Sequence, residues 1–206
     1  GELVSKPYLE KILFSSTLTS EYIKLFYDYL HFYKSQPSTG SEIGETIDST
    51  SIIQIAKICN QLNKELLKSE RLFVFLQLME LIRADAQVTS KEEEFAALVA
   101  LNFNLDQEDV TLLKDFILKG DEKELDHNTI LIADNFGRIL VLYLPSVETF
   151  VFRYDGALNL FLEGSKIIPA KPYLLNPGAI IKGPNINSIY EPEITRQFVQ
   201  DRAKTS

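Results

Sequence analysis

The stretch that decides the fold of this chain is residues 72–93, LFVFLQLMELIRADAQVTSKEE. Residues 72–82 are apolar on nearly every side of a helix, a pattern typical of the central helix of a bundle. Thr89, Ser90, Lys91 and Glu92 then have the spacing of a capping box, in which a threonine hydroxyl and a glutamate side chain satisfy each other's backbone amides at a helix start. The stretch therefore predicts a helix, an acidic turn and a second helix.

Helical periodicity also precedes this stretch. Residues 19–34 carry an apolar stripe at spacings of four, three and four, formed by Tyr22, Phe26, Tyr29 and Tyr33. A second stripe consists of Ile52, Ile55, Cys59, Leu62 and Leu66. Because Cys59 lies on this stripe, we expect it to be a small buried core residue and not a nucleophile. Residues 35–49 are rich in Ser, Gly and Pro, which predicts a mobile loop.

Two further helices are expected after the acidic turn. The first runs from Ser90 to about Leu101, with an inward face that includes Phe95, Leu98 and Val99. The second is capped at Asp106 and ends near Gly120, with four residues inward: Val110, Leu113, Ile117 and Leu118. Residues 1–124 are therefore predicted to form an all-helical domain of about five helices.

The apolar period changes to two after Asn128. Strands are predicted at residues 129–133, 138–144, 149–154 and 158–162, with shorter ones at 166–168, 173–175 and 179–181, all separated by turn signals. Consecutive short strands indicate a small antiparallel β-sandwich or barrel-like domain over residues 125–190. Gly183-Pro184-Asn185 is expected to end the sheet, and residues 191–206 to form a short helix or linker towards a downstream domain. The fold class is thus α+β.

Composition limits the possible partners. The 206 residues carry a net charge of −8, and the twelve acids and four lysines of residues 85–126 account for all of it. Such a field repels phosphate backbones, so we expect no nucleic-acid partner. No apolar run reaches the roughly 20 residues that cross a bilayer, which predicts no direct membrane insertion. A single cysteine and the lack of a secretory signal indicate a cytoplasmic protein.

Motifs for catalysis are missing from the sequence. Residues 178–183 have the glycine spacing of a phosphate-binding loop, but Pro184 and Asn185 stand where that loop needs Lys and Ser or Thr. His31 and His127 are far apart in sequence, so they predict neither a paired metal site nor a base beside a nucleophile. We expect no enzyme activity, no catalytic residues and no bound cofactor in this chain.

The acidic turn resembles that of the TerB-like family, first known from tellurite-resistance proteins. Five residues match the family pattern in order and spacing: Ala84, Asp85, Val88, Thr89 and Glu92. Ala86 stands where the family usually has Gly. Carboxylates of that family are associated with divalent cations, and the resemblance places two of them here, Asp85 and Glu92. It therefore implies a helical bundle with a candidate metal site at Asp85 and Glu92.

The second half resembles the small β domain that precedes the ATPase in certain large bacterial ABC transporters. The resemblance is carried by Tyr154-Asp155-Gly156, Gly164-Ser165-Lys166, Pro177-Gly178 and the segment IYEPEIT at residues 189–195. In those proteins a TerB-like bundle precedes the β domain. This β module is also distantly similar to forkhead-associated sandwiches, although Gly183 is followed by Pro184-Asn185 and not by the Arg, Ser and Asn of a phosphothreonine site.

Together, these resemblances imply a non-catalytic regulatory or interaction region of a bacterial ABC transporter ATP-binding protein. Its expected partners are the downstream ATPase and membrane domains of the same protein, or another protein that docks on it, and the parent protein would hold it at the inner face of the membrane. The alternative is a stand-alone TerB-like stress-response protein that senses a divalent cation through Asp85 and neighbouring acids. These two functions differ in whether the acidic turn is a ligand site.

Overall fold

The computed structural model describes residues 49–83, 88–118, 128–184 and 186–205, together with Lys24, Leu25, Asp28 and Ile47. The chain divides into two compact units, residues 1–118 and 119–206. The first contains helices and the second contains two antiparallel sheets, so the predicted α+β class is confirmed. The predicted boundary between residues 124 and 125 lies outside the described residues.

Four helices cover the described part of the first unit between residues 49 and 118: α1 (Ser49–Glu65), α2 (Lys68–Arg83), α3 (Ser90–Asn102) and α4 (Gln107–Leu118). The predicted helix over residues 19–34 lies outside the described residues except for Lys24, Leu25 and Asp28, which are helical. Within the predicted loop over residues 35–49, Ile47 is buried and Ser49 already begins α1.

The apolar helix predicted at residues 72–82 is the centre of the helical unit. Helix α2 packs against α1, α3 and α4, and its residues from Leu72 to Met79 are all buried. A sequence that is apolar from Leu72 to Met79 except at Gln77 suits a helix that has neighbours on several sides. None of the described helices is both long and apolar enough to cross a bilayer.

Two residues predicted to face inward are instead exposed. Ile52 is exposed because the buried face of α1 continues from Ile55 back to Ser51, four residues earlier. Leu118 is exposed because it follows the buried Ile117 by one residue, which turns it about 100° away from the core. The other predicted inward positions of α4, at Val110, Leu113 and Ile117, are buried.

The described part of the second unit contains two four-stranded sheets. The first has the order β1-β2-β3-β6 and comprises β1 (Thr129–Asp134), β2 (Gly137–Leu144), β3 (Thr149–Asp155) and β6 (Pro172–Leu175). The second has the order β5-β4-β7-β8 and comprises β4 (Phe161–Leu162), β5 (Ser165–Lys166), β7 (Ile180–Lys182) and β8 (Ile189–Tyr190). Every pairing is antiparallel, as the sequence predicted.

Helix α5 (Glu191–Thr205) completes the second unit and differs from the short helix expected at this position. It has 15 residues, and its Ile194 and Phe198 are buried. The Phe198 ring lies 4.5 Å from Tyr143 and 5.6 Å from Phe150, measured between ring centroids. This aromatic packing against the first sheet gives the helix an apolar anchor.

Gly183-Pro184-Asn185 also does not end the second sheet. Strand β8 follows it, and Ile181 of β7 pairs with Ile189 of β8. Strand β4 is shorter than predicted and begins only at Phe161. Of the residues 158–162 that carry the period-two pattern, only the last two therefore pair in a strand.

Candidate functional site

The predicted cation site is only partly covered by the described residues. Asp85 lies outside them, whereas Glu92 is resolved in the first turn of α3 and is only 5% exposed. Its Oε2 atom accepts hydrogen bonds from the Thr89 backbone N–H, at 2.8 Å, and from the Thr89 hydroxyl, at 2.9 Å. The Glu92 N–H donates back to the Thr89 Oγ1 at 3.3 Å. The predicted capping box is therefore confirmed, and Glu92 acts in it as a helix cap.

Nearby acids also have structural roles. Asp106 Oδ1 accepts a hydrogen bond from the Glu108 N–H at 3.0 Å, so Asp106 caps the start of α4 as predicted. Glu94 Oε2 accepts from the Ile47 N–H at 3.3 Å. Within the described ranges, no group of three or more His, Cys, Asp or Glu residues is arranged to hold a metal ion.

Cys59 has the environment of an inert core thiol. Its side chain is fully buried in α1, and this burial raises the pKa of the thiol to about 12. Because the thiolate is the reactive form, a thiol with this pKa is not a nucleophile near neutral pH. The prediction of a buried, structural Cys59 is confirmed.

A cleft of about 400 Å³ lies between α3 and α4 and has an apolar floor. We call it the α3/α4 groove and define it by six of its lining residues: Ala97, Ala100, Leu101, Asn104, Val110 and Lys114. Ala100 and Val110 are buried at its floor, whereas the Leu101 side chain is 74% exposed. A groove with an apolar floor, a polar rim and an exposed leucine at its edge is suited to receive an apolar side chain of a partner.

The turn between α3 and α4 fixes one end of the groove. Asn104 adopts a left-handed backbone with φ of 51°, a conformation that Asn tolerates better than most residues. The Asn104 N–H donates to the Leu101 carbonyl at 3.0 Å and the Leu105 N–H donates to the Ala100 carbonyl at 3.1 Å. This pair of bonds is the Schellman arrangement that ends a helix. It leaves Leu101 in the last turn of α3, facing solvent.

A polar network joins the end of α3 to α1 and α2. Arg71 Nη1 donates to the Phe103 carbonyl at 2.8 Å and to Asn63 Oδ1 at 3.0 Å. Asn63 Nδ2 donates to the Asn102 carbonyl at 2.7 Å. Burial lowers the pKa of the Arg71 guanidinium, which nevertheless stays protonated because its ordinary pKa is far above neutral. A cation is thereby placed at the negative end of the α3 dipole.

The groove was not predicted from the sequence, although a signal for it exists. Helix α3 has a buried stripe that includes Phe95 and Val99, and a second small apolar set at Ala97, Ala100 and Leu101 on another side. Ala97 and Leu101 are four residues apart, so they lie on one face of the helix. Helix α3 packs against α1 and α2, and apolar residues on a further side could have indicated an exposed groove.

No protein-family model, no curated protein and no solved structure matches this chain. The resemblances to TerB-like bundles and to the β domain of ABC transporters therefore stay predictions that rest on the residues quoted for them.

Proposed function

We propose that this chain is a non-catalytic docking region that receives an amphipathic helix of its partner in the α3/α4 groove. The observation that carries the proposal is the groove itself, with Leu101 74% exposed beside the buried Ala100 and Val110. Recognition of an amphipathic helix in such a groove depends on apolar side chains at spacings of three and four residues. Ala97 and Leu101 offer the matching spacing on α3.

The charge of the helical unit indicates which kind of helix would bind in the groove. Residues 1–118 contain eighteen acids and eleven lysines or arginines, a net charge of −7. Glu93 is exposed on α3, four residues before Ala97, and therefore lies on the groove side of the helix. Lys114 lines the same groove, so a docking helix would place its basic residues on the Glu93 side of its apolar stripe.

We also propose, on the resemblances described above, that the partner belongs to a bacterial ABC transporter, either its ATPase domain or its membrane domain. Docking would then regulate the ATPase from the inner face of the membrane. In the alternative, a TerB-like divalent-cation sensor, Glu92 would be a ligand. Because its Oε2 atom already accepts two hydrogen bonds in the capping box, we favour docking.

The proposal is tested with a synthetic amphipathic helix of about five turns, built from leucine and lysine with leucines at i, i+3, i+4 and i+7. Binding of the fluorescently labelled peptide is measured by anisotropy for the wild type and for Leu101→Ser. Leu67→Ser is the matched control, because Leu67 is 70% exposed in the same unit and does not line the groove. A peptide of identical composition with scrambled leucines controls for charge alone.

Leu101→Ser is expected to weaken binding about tenfold. Burying a leucine side chain contributes about 1.5 to 3 kcal/mol, and about 1.4 kcal/mol corresponds to tenfold in Kd. Leu67→Ser should bind as the wild type does. Equal loss in both variants, or equal binding of the scrambled peptide, would show that the groove is not the docking site.

A further inference from the structure

The second sheet has a face on which a phenylalanine lies between two lysines. Phe161 of β4 is paired with Lys166 of β5 on one side and with Lys182 of β7 on the other. Directly paired residues lie on the same face of a sheet, and adjacent residues point to opposite faces. Leu162 and Ile181 are buried on the inner face, so the outer face carries Phe161 and both lysines.

The same face continues onto β8. Ile180 precedes Lys182 by two residues and is paired with Tyr190, so both share the outer face. The side chains of Phe161 and Tyr190 are 36% and 43% exposed. We call Lys166, Phe161, Lys182 and Tyr190 the lysine–aromatic face. Single apolar residues are common on protein surfaces, but two exposed aromatic rings on one face of a small sheet indicate a contact surface.

The two lysines of this face lack partners among the residues that the structure describes. Lys166 and Lys182 are exposed, and neither ammonium group makes an ion pair or hydrogen bond within the described part of the chain. Carboxylates lie at the margins of the face: Glu163 follows β4 and is exposed, and Glu193 Oε2 accepts a hydrogen bond from the Tyr190 N–H at 3.4 Å. The chain as a whole is acidic, with a net charge of −8, so a pair of free lysines beside aromatic rings is a local exception.

We infer that the lysine–aromatic face binds an extended acidic peptide segment, with its carboxylates on Lys166 and Lys182 and an apolar side chain on Phe161. Both lysines are paired with Phe161, so their backbones lie two strand spacings apart, about 10 Å. Residues i, i+2 and i+4 of an extended peptide point to the same side, and acids four residues apart are separated by about 13 Å, a span that two long lysine side chains can reach. A nucleic acid fits less well, because two lysines on a chain of net charge −8 neutralise few phosphates.

This surface lies in the sheet unit and is independent of the α3/α4 groove. The probe is a labelled peptide of about ten residues with two aspartates four positions apart and a phenylalanine midway between them, so that all three side chains point to one side. The comparison peptide has asparagines in place of the aspartates. Binding to the full chain is measured by anisotropy and by NMR chemical-shift changes, for the wild type and for the Lys166→Gln, Lys182→Gln double variant. Arg138→Gln is the control in the same unit, because Arg138 is already paired with Asp155 at 2.6 Å.

The double variant is expected to bind the acidic peptide about fivefold to tenfold more weakly than the wild type, as the loss of two exposed ion pairs implies. Arg138→Gln should bind as the wild type does, and shifts should centre on β4, β5 and β7. No binding of the acidic peptide, equal binding of the asparagine peptide, or unchanged binding by the double variant would overturn the inference. A thymidine oligonucleotide that binds more tightly through the same lysines would also overturn it, and would assign the face to nucleic acid.

Discussion

Replacing Thr89 by alanine tests whether the start of α3 is only a helix cap or also a cation site. The substitution removes the hydroxyl that donates to Glu92 Oε2 at 2.9 Å and accepts from the Glu92 N–H at 3.3 Å. Loss of a threonine cap costs about 1 kcal/mol of unfolding free energy, within a range of about 0.5 to 2 kcal/mol. For a unit of this size that change lowers Tm by roughly 3 to 5 °C.

The assay is thermal and urea unfolding followed by far-ultraviolet circular dichroism, with excess EDTA and with millimolar calcium. Three variants are compared with the wild type: Thr89→Ala, Glu92→Ala and their double variant. Thr89 and Glu92 share their hydrogen bonds, so the double variant should lose less free energy than the sum of the single ones, by about 0.5 kcal/mol or more. Glu92→Gln should be milder, because glutamine also serves in a capping box.

The unfolding measurements with calcium distinguish a docking region from a divalent-cation sensor. If Glu92 acts only as a cap, calcium leaves the melting temperature of the wild type unchanged. A cation at 100 times its dissociation constant would instead add about 2.7 kcal/mol to the unfolding free energy. Such a gain, lost in both Glu92→Gln and Asp85→Ala, would refute the cap-only reasoning and favour the cation sensor.

Two further perturbations test the packing of each unit. Tyr154→Phe removes a buried hydroxyl that donates to the Phe136 carbonyl at 2.7 Å and accepts from the Leu158 N–H at 2.9 Å. Urea unfolding should therefore show that the free energy of unfolding falls by about 1 to 3 kcal/mol. A fall below about 0.5 kcal/mol would contradict this role. Cys59 should react with a thiol reagent only when α1 unfolds, and fast labelling of the native chain would contradict its burial. Because its thiol pKa is raised to about 12 in the folded chain, stability should be unaffected by this group below about pH 9 and should fall as pH rises from there towards 12.

Features set by neighbouring residues were predictable from the sequence. The capping box at Thr89 and Glu92 is local, since a helix start needs only its own first turn to satisfy its amides. The burial of α2 follows from the predominance of apolar residues on all its sides, and the main strands follow from period-two patterns between turn signals.

Features set by distant contacts could not be predicted in the same way. Strand β8 has only two residues, too few for a periodic signal, and it exists because Ile181 of β7 pairs with Ile189. The length of α5 depends on Phe198 packing against Tyr143 and Phe150, which are far away in sequence. The lysine–aromatic face likewise appears only when the register places Lys166 and Lys182 on either side of Phe161.

The Arg71 network has a consequence for the docking proposed at the α3/α4 groove. One guanidinium holds Asn63 of α1 and the Phe103 carbonyl at the end of α3, while being part of α2 itself. Three helices are thus joined at the end of the α3/α4 groove that carries Leu101. Because these helices are held together, the groove would lose little conformational entropy when a helix docks, and little of the binding free energy would be needed to order it. The docking helix would then have to adapt its shape to the groove.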